Sequence, residues 1–261
     1  MVERRSDMEF ALQLADEADA MTMAAYTGQA LHFEDKADGS PVTEHDRLVE
    51  KKLRAMVEDQ RPRDGFLGEE TGSSPGAARR WIIDPIDGTA SFIRGGRSWA
   101  TQIALEEDGE LVLGVTSAPV VEARWWGADG MGAFRQAAGE PAPVPLHVSS
   151  TTELAQATWV CYPRIDRLSG EWRTLPDRLS TASAPIRPTS HGALMVAAGQ
   201  TDACLQLDGA LWDYAAFAAI VRVAGGAFSY VDESSERGGP RPAVFSNGRV
   251  HDEVLTVLTP R

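Results

Sequence analysis

The stretch Asp84-Pro85-Ile86-Asp87-Gly88-Thr89 sets two carboxylates on either side of a stiff Pro-Ile step. The proline fixes one backbone angle and Gly88 permits a tight exit, so both carboxylates and the carbonyl between them can face one point. A hard divalent cation such as Mg²⁺ takes oxygen ligands in octahedral geometry and keeps some of its waters, which suits this set better than a Cys or His site would. Asp-Gly also occurs at Asp38, Asp64, Asp108, Asp129 and Asp208. Taken alone, therefore, Asp87-Gly88 reads as readily as an ordinary turn.

Two further acidic positions admit two readings each. Glu69-Glu70, preceded by Gly68, is either a solvated surface patch or a pair of oxygen ligands from a loop. Asp213 follows Trp212 at the start of the apolar run Ala215 to Ala224. It either compensates the positive end of that helix or aims a carboxylate from a rigid element at the strand-end cluster.

The elements that must position these residues can be read from periodicity. Ser6-Asp7-Met8-Glu9 has the form of a capping box and predicts a helix from Phe10 to Tyr26, stopped by Gly28. A second helix is expected near Thr43, with Asp46 in its first turn and Leu48, Leu53, Met56 and Val57 on its apolar face, ending before Arg61-Pro62. Arg80 to Asp84 reads as a buried strand ending on a carboxylate. Trp99 to Glu106 and Glu110 to Pro119, joined by Asp108-Gly109, and Ala123 to Gly127 and Met131 to Phe134, joined by Asp129-Gly130, predict an antiparallel meander. The Pro-rich connection Gly139 to Pro145 divides the chain into halves at 1–140 and 141–261. In the second half, strand-like Thr158 to Tyr162, Pro185 to Thr189 and Ala203 to Leu207 alternate with helical patterns around Leu175 to Leu179, Ala193 to Ala198 and Trp212 to Ala224. That alternation predicts an α/β layer.

Composition narrows the function. With 261 residues, 43% of them hydrophobic and 24% charged, the chain can bury a substantial core. A formal charge of -13 repels nucleic-acid polymers, yet an acidic protein can bind a small phosphate when cations lie between its carboxylates and the ligand. A metal-dependent nuclease should carry a basic track, and there is none here. Met1 to Phe10 lacks a signal-peptide core and no stretch is fit to span a bilayer, so a cytoplasmic location without membrane partners is expected. Cys161 and Cys204 read as reduced, buried thiols.

Gly68-Glu69-Glu70, Trp81 to Thr89 and Trp212-Asp213-Tyr214-Ala215-Ala216 resemble, in order and separation, the inositol monophosphatase superfamily of Mg²⁺-dependent, lithium-sensitive phosphatases. The resemblance extends to Asp38-Gly39-Ser40-Pro41-Val42-Thr43 with Asp46, and to Ala224-Gly225-Gly226, and so covers nearly the whole chain. It implies an α/β (α+β) fold, a layered αβαβα sandwich, in a homodimer that hydrolyses a small phosphate ester. It implies that Glu69, Asp84, the Ile86 carbonyl and Asp87 hold one Mg²⁺ and that Asp84, Asp87 and Asp213 serve a second. Glu70 would support a weaker third, and Mn²⁺ could substitute. Thr89, with Asp46 behind it, would orient and deprotonate the attacking water, with Glu69 counted beside them as catalytic. The backbone amides of Gly88, Thr89 and Ala90 would cradle the phosphate.

Phe92-Ile93-Arg94-Gly95, Ser117-Ala118-Pro119, Arg124-Trp125-Trp126 and His251 to Thr256 are most similar to the histidinol-phosphate phosphatase branch. That similarity implies L-histidinol phosphate as lead substrate, with Arg94, His191, Gln206 and Asp208 as contacts. Gln206 stands where the family usually has a glutamate, and the neutral amide lacks a charge that Asp208 could supply. His191 reads either as a substrate contact or as a helix-start histidine, and Ala90-Ser91 replaces a more polar pair. An inositol, cyclitol, sugar or nucleoside monophosphate stays open as substrate. So does a non-catalytic binding protein with this fold.

Overall fold

The computed structural model describes residues 2–26, 31–36, 41–74, 78–162, 171–231 and 241–259. Helix α1 (Val2–Ala25) begins earlier than its sequence signal, so Ser6-Asp7-Met8-Glu9 lies inside the helix and does not cap it. The upstream turn is held by Arg4, which bonds Asp7 at 3.3 Å and also reaches Glu107 on the sheet. The expected stop at Gly28 lies outside the described residues, as do Asp38-Gly39-Ser40. Helix α2 (Glu44–Gln60) starts at a capping box in which the Thr43 hydroxyl accepts from the His45 and Asp46 amides while Asp46 accepts from Thr43. Asp46, Val49, Glu50, Leu53 and Val57 form its buried face. Leu48 was expected there but is 45% exposed, because it lies off the stripe that a spacing of three and four produces.

Strands β1 (Glu34–Asp35) and β2 (Pro41–Val42) make a small antiparallel ribbon. The main sheet is built from β3 (Gly65–Gly68), β4 (Gly72–Ser73), β5 (Arg79–Asp87), β6 (Ala100–Glu107), β7 (Glu110–Ala118), β8 (Ala123–Ala128), β9 (Gly132–Ala137) and β10 (Val144–Pro145). Their spatial order is β10-β9-β8-β7-β6-β5-β3-β4, antiparallel throughout except for β3 beside β5. The expected meander is therefore present, and Asp108-Gly109 closes the β6–β7 hairpin. Within the Pro-rich connection, Val144 and Pro145 still pair with β9, at an edge where a missing N–H costs no ladder bond.

The second sheet contains β11 (Thr158–Tyr162), β12 (Ala184–Pro185), β13 (Ala203–Gln206), β14 (Ala227–Tyr230) and β15 (Ala243–Ser246) in the order β12-β11-β13-β15-β14. The strand expected at Pro185 to Thr189 shrinks to Ala184–Pro185, since Pro185 and Pro188 cannot donate to a ladder. Helices α4 (Leu175–Ser180), α5 (Gly192–Ala197), α6 (Leu211–Val223) and α7 (His251–Leu258) complete this half. Cys161 and Cys204 sit on β11 and β13 and form no disulfide; Cys204 is buried, Cys161 only partly. Burial pushes the Cys161 thiol up to about 12.

The strand pleat assigns the layers. Trp81 and Ile83 on β5 face α1 and α2, packing with Phe10, Leu14, Leu53 and Val57. Ile82, between them, faces the other way onto Ala215 and Ala216 of α6. Helices α5 and α6 fill the space between the sheets, against Trp125 and Ala133 on one side and Val160 and Phe245 on the other. Helices α4 and α7 cover the far side of the second sheet through Leu175, Leu179, Val254 and Leu258. The result is an αβαβα sandwich, and no described helix is long and apolar enough to cross a membrane.

The exit from β5 is the tightest point of the frame. Gly88 has φ 87° and opens the short helix α3 (Thr89–Ile93). A Cβ there would lie 2.5 Å from the Ser98 carbonyl oxygen. Gly88→Ala should therefore lower the unfolding free energy by at least ~1 kcal/mol, from left-handed strain alone. Urea denaturation checks this, and an unchanged midpoint would contradict it.

Candidate active site

A separation of three residues along a regular strand would send Asp84 and Asp87 to opposite faces of the sheet. The β5–β6 register shows why they meet. Asp84 is paired with Gln102 but Asp87 with Ala100, so Pro85-Ile86 carries one residue more than β6 opposite it. This bulge returns Asp87 to the side of Asp84. Thr101 holds the bulge by donating to the Pro85 carbonyl at 2.9 Å, and the Ile86 amide donates to Asp84 Oδ1 at 3.0 Å. Asp213 arrives in the first turn of α6, where it accepts from the Ala210 amide. One carboxylate oxygen from each of Asp84, Asp87 and Asp213 then lies within 4.8 Å of the others.

Burial is the first cause that raises all three carboxyl pKa values, and repulsion from neighbouring carboxylates adds to it at Asp84 and Asp213. Asp84 is held well above the ordinary carboxylate range by burial and then by the charges of Glu69, Asp87 and Asp213. Asp213 is likewise well above it, through burial and Asp87, with the Ala210 amide opposing. Asp87 is raised by burial, against the opposing pull of His191 and of a bond from Gln102. No Lys or Arg among the described residues pairs with any of the three. An all-oxygen, like-charged set of this kind, buried at Asp84 and part-buried at Asp87 and Asp213, fits a hard divalent cation.

Glu69 and Glu70 lie on the loop after β3, and Lys36 bridges them, 2.7 Å from Glu69 Oε1. Burial raises the pKa of Glu69, and Lys36 opposes the shift. Burial likewise raises Glu70, again against Lys36. Across the bulge, the Thr89 hydroxyl lies 3.2 Å from Asp46 Oδ1 and 3.0 Å from the Ile86 carbonyl oxygen, so it can donate to only one of them at a time. Burial raises the Asp46 carboxyl, while bonds from Thr43 and Thr89 oppose the change. Gly88 begins α3, which leaves the Thr89 and Ala90 amides in a first turn that has no intrahelical acceptors for them.

A cavity of about 480 Å³ opens beside Asp87 and Gly88. His191 and Gln206 line it, as the sequence suggested, together with Trp125, Phe217 and Tyr162. The His191 ring lies 5.6 Å from that of Phe217, and burial lowers its pKa against the opposing charge of Asp87. Arg94 and Asp208 are exposed and do not line this cavity. Arg94 caps the end of α3, and the arginine that reaches the cavity wall is Arg97. Asp208 is close enough to Asp213 to raise its pKa.

Sequence reasoning missed the residues that brace the cluster. Gln102 is wholly buried and donates to Asp87 Oδ2 at 3.1 Å, while its own oxygen accepts from Thr116 at 2.7 Å. Gln102 and Thr116 stand opposite each other on β6 and β7. Two polar residues inside apolar strands were the available signal, since burial obliges such groups to find partners.

The sequence and the fold are similar to those of known proteins. The model of the inositol monophosphatase family matches residues 3–259. A histidinol-phosphatase from Mycobacterium tuberculosis is 41% identical, over 97% of this chain and 97% of its own. A histidinol-phosphatase from Streptomyces coelicolor is 40% identical, over 98% and 97% respectively. Among solved structures, an IMPase from Thermotoga maritima superposes with a TM-score of 0.77 at 28% identity, covering 97% of this chain and 96% of that one. With the family motifs gathered at one acidic centre, the chain belongs to the inositol monophosphatase family and is a phosphoric monoester hydrolase.

Proposed function

We propose that the protein is a Mg²⁺-dependent phosphomonoesterase whose lead substrate is L-histidinol phosphate. The observation that carries this reading is the cluster of three carboxylates, Asp84 buried and Asp87 and Asp213 part-buried, unpaired by any described Lys or Arg, beside a cavity large enough for a small metabolite. The approximately 40% identity to two proteins named histidinol-phosphatase supports the substrate.

Glu69, Asp84, the Ile86 carbonyl and Asp87 would hold one ion, Asp84, Asp87 and Asp213 a second, and Glu70 would support a third. When bound, Mg²⁺ supplies neutralisation of the phosphoryl oxygens and a lowered water pKa. Asp46 accepts a proton from the Thr89 hydroxyl side, which lets Thr89 orient the attacking water. The Gly88, Thr89 and Ala90 amides receive the phosphate, and His191 and Gln206 face the leaving group across the cavity. The halves 1–140 and 141–261 are proposed to close this site between them, in a homodimer.

Chelation should abolish activity, and Mg²⁺ or Mn²⁺ should restore it; full turnover in excess chelator would sink the proposal. Steady-state kinetics should give histidinol phosphate a kcat/KM at least ~10-fold above that of inositol 1-phosphate. The reverse order would reassign the substrate and leave the metal chemistry standing.

Asp87→Asn keeps the shape but removes one charge, and kcat should fall at least ~10²-fold. In metal-free protein the effect on stability has the opposite sign. A carboxyl whose folded pKa is raised binds its proton more tightly in the folded state, so its ionisation costs stability as pH rises from the ordinary carboxylate range through the folded value. In chelator, Asp87→Asn should therefore melt above the wild type at pH 8, and the gap should close on acidification toward pH 4. A gap independent of pH would mean that the Asp87 carboxyl is not raised in the folded state.

A further inference from the structure

Glu50 is a wholly buried carboxylate on α2, one helical turn beyond Asp46 and on the same face. Among the described residues no cation pairs with it. Its donors all come from one place. Oε2 accepts the Glu70 amide at 2.7 Å, and Oε1 accepts both the amide of Thr71, at 2.7 Å, and its hydroxyl. The loop closes so tightly on this carboxylate that a Cβ at Gly68 would lie 2.3 Å from it. A side chain at Gly68 would therefore push the Glu50 carboxylate from its place.

An uncompensated charge buried between a helix and a strand end is costly, and an apolar side chain would serve packing as well. Three charge-assisted bonds to the backbone and side chain of one short loop are a different device. They fix the segment that carries Glu69 and Glu70. Four residues earlier, the same helix face holds Asp46 against Thr89. We propose that Glu50 is a positioning residue that clamps the Gly68–Thr71 loop, so that α2 sets Glu69 and the Asp46–Thr89 pair in register. This inference rests on the reading of Glu69 as a metal ligand proposed above. The clamp itself is a property of the metal-free chain.

The test uses Glu50→Gln in the full chain, with two readouts. In metal-free protein, hydrogen exchange at the Glu70 and Thr71 amides should accelerate relative to amides in the core of α2. In a titration followed by Mn²⁺ paramagnetic resonance, affinity should fall by about 10- to 100-fold, the range typical when a group that orients a metal ligand is lost. Saturating metal should restore most of kcat. A folded Glu50→Gln with Mn²⁺ affinity within about twofold of the wild type, or with unchanged exchange at both amides, overturns the proposal. So does a lowered melting temperature with unchanged affinity, which is the pattern of a purely structural residue. If Glu50→Gln does not fold, Thr71→Val carries the test, because it removes only the hydroxyl donor. Weaker Mn²⁺ binding then supports the clamp, and unchanged affinity overturns it. A wild-type chain that takes up no Mn²⁺ would defeat the ligand reading of Glu69 instead, and the clamp would still stand or fall on amide exchange.

Discussion

Like charge held at short range inside the protein is the constraint around which the other features arrange themselves. At an effective dielectric of about 20, two carboxylate charges within 4.8 Å repel by roughly 3 kcal/mol, several times thermal energy. Asp84, Asp87 and Asp213 present three such pairs, and the protein places them where burial already disfavours ionisation. A cluster of this kind persists only if a proton or an external cation offsets the charge. The inositol monophosphatase family to which the chain belongs consists of metal-dependent phosphatases, and the acidic group of this chain could hold such a metal.

Each surrounding element can be understood as holding a charge where it would not otherwise remain. The β5 bulge turns two carboxylates onto one side of the sheet, and the row Asp84, Gln102, Thr116 runs across three strands to brace it. Helix α6, packed by Ala215 and Ala216 against Ile82, delivers Asp213 from the opposite half of the chain. Helix α2 carries two buried acids, Asp46 and Glu50, whose partners lie at the two ends of the acidic centre. The site thus lies at the meeting of the main sheet, its outer helix and the middle helical layer. Rigid elements of this kind hold a reacting geometry better than loops do.

Much of this was legible in the sequence because it is local. The meander announced itself through alternating residues and Asp-Gly turns, and the resemblance carried by the acidic motifs pointed to Asp84, Asp87 and Asp213, which the fold brings together. What was not legible depended on distant contacts. Ser6 fits a capping box in isolation, yet Arg4 and Glu107, far apart in sequence, extend the helix past it. Arg94 carries the resemblance as plainly as Arg97 does not, but the turn at Gly95 and Gly96 sends Arg97 toward the cavity instead. Gln102 and Glu50 look like ordinary polar positions until pairing brings them to Asp87 and Glu70. The strands β14 and β15 and helix α7 gave no reading as elements, being short and set between glycines and prolines.

With their pKa values raised, Asp84, Asp87 and Asp213 should hold protons that a divalent cation displaces on binding. Calorimetric titration of the metal-free protein with Mg²⁺ near pH 6, repeated in buffers of different ionisation enthalpy, counts those protons directly. Binding should be saturable, with net proton release that grows as the starting pH is lowered toward 5. Binding with no proton exchange at any pH in that interval, or no binding at all, would contradict it.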